Sequence, residues 1–352
     1  MAKKRVYFMR TFVTIALLLL VGGIVLAWQP VQAVYFKGVP DELENPYVHI
    51  PNGSTFEDLV GILYGGEYID DVSSFRWVAE QMKFTDRVRP GRYEIQPGWN
   101  NRELIQHLRA GKQAPVNVVL NNERLLEEVA GKVATFIEAD SLELINTFYD
   151  QAFLNELGFQ PETLMSLFIP NTYEFYWNTT AKGFVERMLT EHLNFWNKDN
   201  RLAKAEALGM TTDQVYTLAS IVERETNANI EKPTIAGVYL NRLAIDMRLQ
   251  ADPTCVFATR DFTTHRVTEY HLKYDSPYNT YLYKGLPPGP ISMASISSID
   301  AVLNREKHDY IYFCAKGDNS GTHAFAVTFA GHNVNVAKLR KFQRERDRAA
   351  RD

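Results

Sequence analysis

Two carboxylates stand two residues apart in Leu218-Ala219-Ser220-Ile221-Val222-Glu223-Arg224-Glu225-Thr226. Val215, Leu218, Ala219 and Val222 recur at helical spacing, which predicts an amphipathic helix over 213–226. Side chains two apart on such a helix point about 200° from each other, so the two acids cannot face one site. Three residues on from Val222 lies Glu225, whereas Glu223 falls toward the Tyr216 and Ser220 flank. Glu225 is therefore the acid expected to turn inward. A carboxyl at the inner end of an apolar face loses hydration, its charged form is disfavoured and its pKa rises, which suits a general acid.

A further carboxylate, Asp252, sits in Gln250-Ala251-Asp252-Pro253-Thr254 and is the residue that could add a second acid to the chemistry. An Asp before Pro also organises turns. The aromatic run LFIPNTYEFYW at 167–177, which contains Tyr173, offers rings with polar edges of the kind that stack on sugar faces, and equally of the kind that fill a core. GLPPGP at 285–290 reads as a rigid, non-regular loop fit for a groove wall and lacks a phosphate-cradle spacing. No His-Glu-x-x-His or Cys-x-x-Cys pattern occurs, so no metal and no cofactor is expected, with His323 and His332 structural or groove-lining. Cys255 and Cys314 could pair in an exported chain or remain two thiols.

These residues need a scaffold, and 352 residues with 45% hydrophobic content are ample for one large or two modest domains. The run TFVTIALLLLVGGIVLAW at 11–28 carries no charge and follows four basic residues. It exceeds the core of a cleavable signal and approaches the ~20 residues that span a bilayer, which favours a retained anchor over 11–30. Val31-Gln32-Ala33 leaves cleavage as the alternative. The basic flank, residues 1–10, belongs in the cytoplasm and everything after the anchor on the far side of the membrane. Beyond residue 10 the chain holds 34 basic and 42 acidic groups, a net charge of −8, which argues against nucleic acid as a partner.

After a linker at 31–45, YVHIPNGSTFEDLV at 47–60 alternates like a strand, turns at Asn-Gly and becomes helical, with Thr55 as the cap. It resembles the opening of a LysM module, a strand-helix-helix-strand unit that binds N-acetylglucosamine polymers. A second pass of this grammar follows at 93–105, where Gly98 and Leu104 keep the six-residue spacing of Gly53 and Leu59. Apolar stripes over 122–137 and 141–157 predict core-facing helices, and a helix is expected from about Pro233 to Asp246. Strand-like pieces at 310–313 and 324–329 suggest a small sheet before the charged tail RKFQRERDRAARD.

The series LASIVERET, GVYLNRL at 237–243, MRLQADPT at 247–254, SPYNTY at 276–281, GLPPGPI at 285–291 and GTHAF at 321–325, with His332-Asn333, is similar to the YceG-like (MltG) family of endolytic murein transglycosylases. Cys255, Phe257 and Ala330-Gly331 depart from that family's usual pattern, which leaves the fine shape of the groove open. The resemblance implies an α+β fold: an N-terminal transmembrane helix, a small LysM-like subdomain at 46–115, and a larger, mainly helical catalytic domain at 116–340 with a small sheet. The catalytic core is expected at 211–335 and a charged tail at 341–352. It implies Glu225 as general acid and base, Glu223 and Thr226 in support, and Gln250, Asn279, Tyr281, Tyr173, Tyr278 and Asp252 as substrate-binding residues. The implied partners are peptidoglycan glycan strands, the bacterial inner membrane and neighbouring peptidoglycan synthases, with the catalytic domain outside the cytoplasm. Two other readings stay open: a muramidase that pairs Glu225 with Asp252, and a non-catalytic wall-binding scaffold.

Overall fold

A computed structural model describes residues 12–23, 28, 31, 34, 37–264 and 266–349. Part of the expected anchor therefore lies outside the described residues; 12–23 are helical and, among the described residues, no helix is long and apolar enough to cross a membrane. From residue 37 onward the described residues form a helix-rich α+β chain with three two-stranded sheets. It divides into two compact units, one of 1–116 with 174–179 and one of 117–173 with 180–352.

In the first unit, β1 (Tyr47–Ile50), α1 (Phe56–Gly65), α2 (Val72–Gln81) and β2 (Gly91–Glu94) follow in strand-helix-helix-strand order, and α3 (Asn101–Ala110) comes after them. The two strands pair antiparallel, Tyr47 opposite Glu94 and Ile50 opposite Gly91. Each strand leads through a glycine of positive φ, Gly53 at 80° and Gly98 at 75°, into a capped helix. Thr55 and Asp58 cap α1 reciprocally, and Asn100 and Glu103 do the same for α3. Each such cap is worth about 1 kcal/mol of helix stability. Leu59 and Leu104, six residues past their glycines, are both fully buried, so the repeated spacing marks two structurally equivalent turns.

The second unit takes in β3 (Val116–Leu120) from Asn117 onward and β4 (Asn171–Phe175) as far as Tyr173, and the two strands pair. Between them lie α4 (Leu126–Val133), α5 (Ser141–Phe148) and α6 (Gln151–Leu157). Asp150 breaks the 141–157 stripe into two helices by capping the second, accepting from the Phe153 amide at 3.1 Å. Then come α7 (Ala181–Asn197), α8 (Arg201–Ala207), α9 (Thr212–Glu225), α10 (Lys232–Ala244), α11 (Asp252–Thr259), α12 (Glu269–Lys273) and α13 (Ile296–Leu303). An antiparallel hairpin of β5 (Tyr312–Ala315) and β6 (His323–Ala326) precedes α14 (Phe329–Ala349). The charged tail is thus the exposed end of a helix as far as residue 349, since its Arg, Lys, Gln and Glu are good helix formers that need no partner.

The core of this unit forms around α9. All eight residues from Val215 to Val222 are buried, and the helix packs against α10, α11 and α13. This corrects the one-sided stripe: the Tyr216 and Ser220 flank is interior too. Its polar atoms are satisfied locally, as burial requires. The Tyr216 hydroxyl donates to the Phe168 carbonyl at 2.7 Å, and the Ser220 hydroxyl donates to the Thr217 carbonyl and accepts from the Ile291 amide.

Candidate active site

Helix α9 ends at Glu225 because Thr226 turns to extended geometry, φ −148° and ψ 141°, and its hydroxyl accepts from the Ala228 amide at 3.0 Å. Thr226 thus sets where the last turn stops. The Glu225 carboxyl opens into a cavity of about 500 Å³ walled by Asp252, Val256, Phe257 and Ile291, together with three arginines. From α10, the buried Tyr239 hydroxyl donates to Glu225 Oε1 at 2.5 Å. Burial raises the Glu225 pKa, the Tyr239 hydrogen bond lowers it, the Asp252 charge raises it and Arg242 lowers it. The outcome is a carboxyl pushed up to about 7. Desolvation prevails because one hydroxyl and a distant guanidinium do not replace the water a carboxylate loses. Arg242 is itself held inside, donating to the Ile311 and Leu249 carbonyls, and burial lowers its pKa.

Glu223 faces the opposite way and is engaged throughout. It accepts from Lys232 Nζ at 3.0 Å, from the Ser298 hydroxyl at 2.5 Å and from the Ser295 hydroxyl and amide. Burial alone would raise its pKa, but the two serines and the ammonium together hold it below the usual carboxylate value. One helix end therefore carries an acid kept protonated into the neutral range and an acid kept ionised, the separation of roles that acid catalysis uses.

The YceG-like family model matches residues 48–338. This chain belongs to the YceG-like family. It is 28% identical over 301 residues to an endolytic murein transglycosylase of Bacillus subtilis, covering 81% of this chain and 82% of that protein. An endolytic murein transglycosylase of Streptococcus pneumoniae is 26% identical across 83% of this chain and 58% of its own length. A crystal structure of a YceG-like protein from Listeria monocytogenes superposes with a TM-score of 0.55 at 31% identity, covering 82% of this chain and 97% of that one.

Within this YceG-like chain the other expected contact residues separate. Asp252 heads α11 and lines the Glu225 cavity, and its carboxylate accepts from the Tyr281 hydroxyl. Burial and then Asp252 raise the pKa of that phenol, so it stays a donor. Tyr278 lines a second cavity of about 300 Å³, which shares Arg124 and Phe257 with the first, and its ring lies 4.8 Å from Phe257. Gln250 is exposed, with φ 48°, and lines neither cavity.

Two expectations give way. Asn279 is fully buried and donates to the carbonyls of His271, Leu272 and Tyr274 while accepting from the Tyr281 amide. Its amide group is spent on holding the 271–281 loop, so it positions Tyr281 instead of gripping a ligand. Tyr173 is buried and donates to the Ile169 carbonyl at 2.6 Å, which makes it part of the packing. Cys255 and Cys314 are free thiols, and His323 is tied to Glu231 by its amide and its ring. Among the described residues no cluster of His, Cys, Asp and Glu is arranged to hold a metal.

Tyr239 and Arg242 are the site residues that sequence reasoning passed over. Both lie in GVYLNRL, and their i,i+3 spacing puts them on one face of α10. A phenol and a guanidinium on a helix face that is otherwise apolar are the signal that was there to read.

Proposed function

We propose that this chain is an endolytic lytic transglycosylase that cuts the bond between N-acetylmuramic acid and N-acetylglucosamine in peptidoglycan, with Glu225 as its single acid and base. The observation that carries the proposal is the Glu225 carboxyl, bonded by the buried Tyr239 hydroxyl and lining a cavity, where burial pushes its pKa up to about 7. The Bacillus and Streptococcus relatives, both endolytic murein transglycosylases, support it.

Glu225 gives its proton to the glycosidic oxygen as the bond from that oxygen to the muramyl C1 breaks. The muramyl C6 hydroxyl then attacks C1, and its proton passes to the Glu225 carboxylate, which restores the acid. The product is a 1,6-anhydro end. The nucleophile belongs to the same sugar, so no second carboxylate has to activate water. Tyr239 holds Oε1 at 2.5 Å, which orients the carboxyl and eases its passage through the charged state.

The 11–30 segment is proposed to anchor the enzyme in the inner membrane with its catalytic unit outside the cytoplasm, beside peptidoglycan synthases. The LysM-like order of β1, α1, α2 and β2 is proposed to bind N-acetylglucosamine. A hydrolytic reading is favoured by one observation, the place of Asp252 in the Glu225 cavity. Mass spectrometry of digested sacculi separates the two: transglycosylation leaves anhydro ends, and water-derived reducing ends in their place would defeat the proposal.

Tyr239→Phe removes the hydrogen bond that stabilises the Glu225 carboxylate, so the Glu225 pKa climbs above about 7. The alkaline limb of the kcat/KM profile is expected to move to higher pH, and the maximal rate to fall about tenfold as the hydroxyl that orients the carboxyl and stabilises its charged form is lost. An unmoved alkaline limb would show that Tyr239 does not govern this proton.

A further inference from the structure

The three arginines of the Glu225 cavity run against the acidic balance of the chain. Arg124, Arg224 and Arg266 come from the segment before α4, the last turn of α9 and the loop before α12, yet they line one cavity. Among the described residues none of them is paired with a carboxylate, whereas Arg260 pairs with Glu127 at 3.5 Å. Arg124 lies over the Phe262 ring at 4.9 Å, which supports its side chain and leaves its donors unspent. The carboxyl groups in the lining are Glu225, bonded to Tyr239, and Asp252, bonded to Tyr281. Guanidinium groups keep their charge at every relevant pH and present forked donors that match a carboxylate.

We propose that Arg124, Arg224 and Arg266 form an anion-binding rim that grips carboxylates on the muramyl residues of the glycan strand, making negative charge on the substrate a requirement for tight binding. This rests on the reading of the Glu225 cavity as the place where the strand is cut. The muramyl lactyl group is a free carboxylate in peptide-free strands and is amide-linked in peptide-bearing ones, whose carboxylates lie further along the stem. Both sources offer the same chemistry.

The test uses the full chain carrying Glu225→Gln, so that strands survive titration. Length-matched glycan strands are offered peptide-free, peptide-bearing, and each again after its carboxylates have been converted to primary amides. Amidation is expected to raise Kd about tenfold at low salt, with the difference shrinking at high salt. Adding Arg266→Gln or Arg224→Gln is expected to cost about threefold against anionic strands and far less against amidated ones. Arg266 is exposed, so its replacement leaves the core intact. Tighter retention of peptide-free strands assigns the anion to the lactyl group, and tighter retention of peptide-bearing strands assigns it to the stem.

Equal Kd values for native and amidated strands, or arginine variants that lose the same factor against both, overturn the proposal. Wild-type protein assayed in parallel keeps the two ideas apart. Charge-dependent binding without anhydro ends defeats the enzymatic reading alone, and anhydro ends without charge dependence defeat the rim alone.

Discussion

Glu225→Gln is expected to abolish cleavage, lowering the rate by roughly a thousandfold or more, because the amide keeps the shape of the acid and has no proton to lend or reclaim. The same change is expected to make the protein more stable. The folded chain holds the Glu225 proton to a pH of about 7, against 4.5 for an ordinary glutamate. Between those values the folded state binds more protons than the unfolded one, so wild-type stability falls as pH rises and the loss is complete above about pH 8. Allowing for partial access of water, the difference is about 2–3 kcal/mol. Thermal melts of the two proteins at pH 5 and pH 8 check this: the gap should open at pH 8 and nearly close at pH 5. A variant that keeps anhydro-forming activity would remove Glu225 from the mechanism.

Lys232→Met is the second large effect, and it falls on folding instead of chemistry. Lys232 is 4% exposed and its ammonium meets Glu223 at 3.0 Å, with Ser295 and Ser297 also in reach. Removing it leaves a half-buried carboxylate with two serine hydroxyls and the Ser295 amide but no counter-charge, at an expected cost of about 3 kcal/mol. Glu223→Gln in the same protein should recover part of that loss, and the double-mutant cycle should return a coupling above about 1 kcal/mol. Additive losses would show that the pair does not act as a unit.

The helix that carries both acids was legible from period alone: 213–226 was expected and 212–225 is found. The same period put Glu223 and Glu225 on different sides. What each side consists of was not legible, because the partners come from distant chain segments: Tyr239 for Glu225, and Lys232, Ser295 and Ser298 for Glu223. Asn279 shows the limit most clearly. A neutral amide in a motif reads alike whether it binds sugar or ties down a loop, and only the three carbonyls around it decide. Tyr173 illustrates a different ambiguity, since an aromatic-rich stretch serves a groove or a core equally well until its hydroxyl is seen bonded to Ile169. The helical end of the chain escaped because a charged, unpatterned segment offers no apolar face to detect.

The Gly289 backbone lies so close to the Glu162 carbonyl that a Cβ there would stand 1.8 Å from its oxygen. The next residue but one, Ile291, walls the Glu225 cavity and donates its amide to Ser220 in the middle of α9. A methyl group added at 289 would therefore displace a wall of the Glu225 cavity without replacing any charged group. Inactive chains with a normal acid titration are accordingly expected from substitutions at this glycine, where two stretches of main chain leave no room for a side chain.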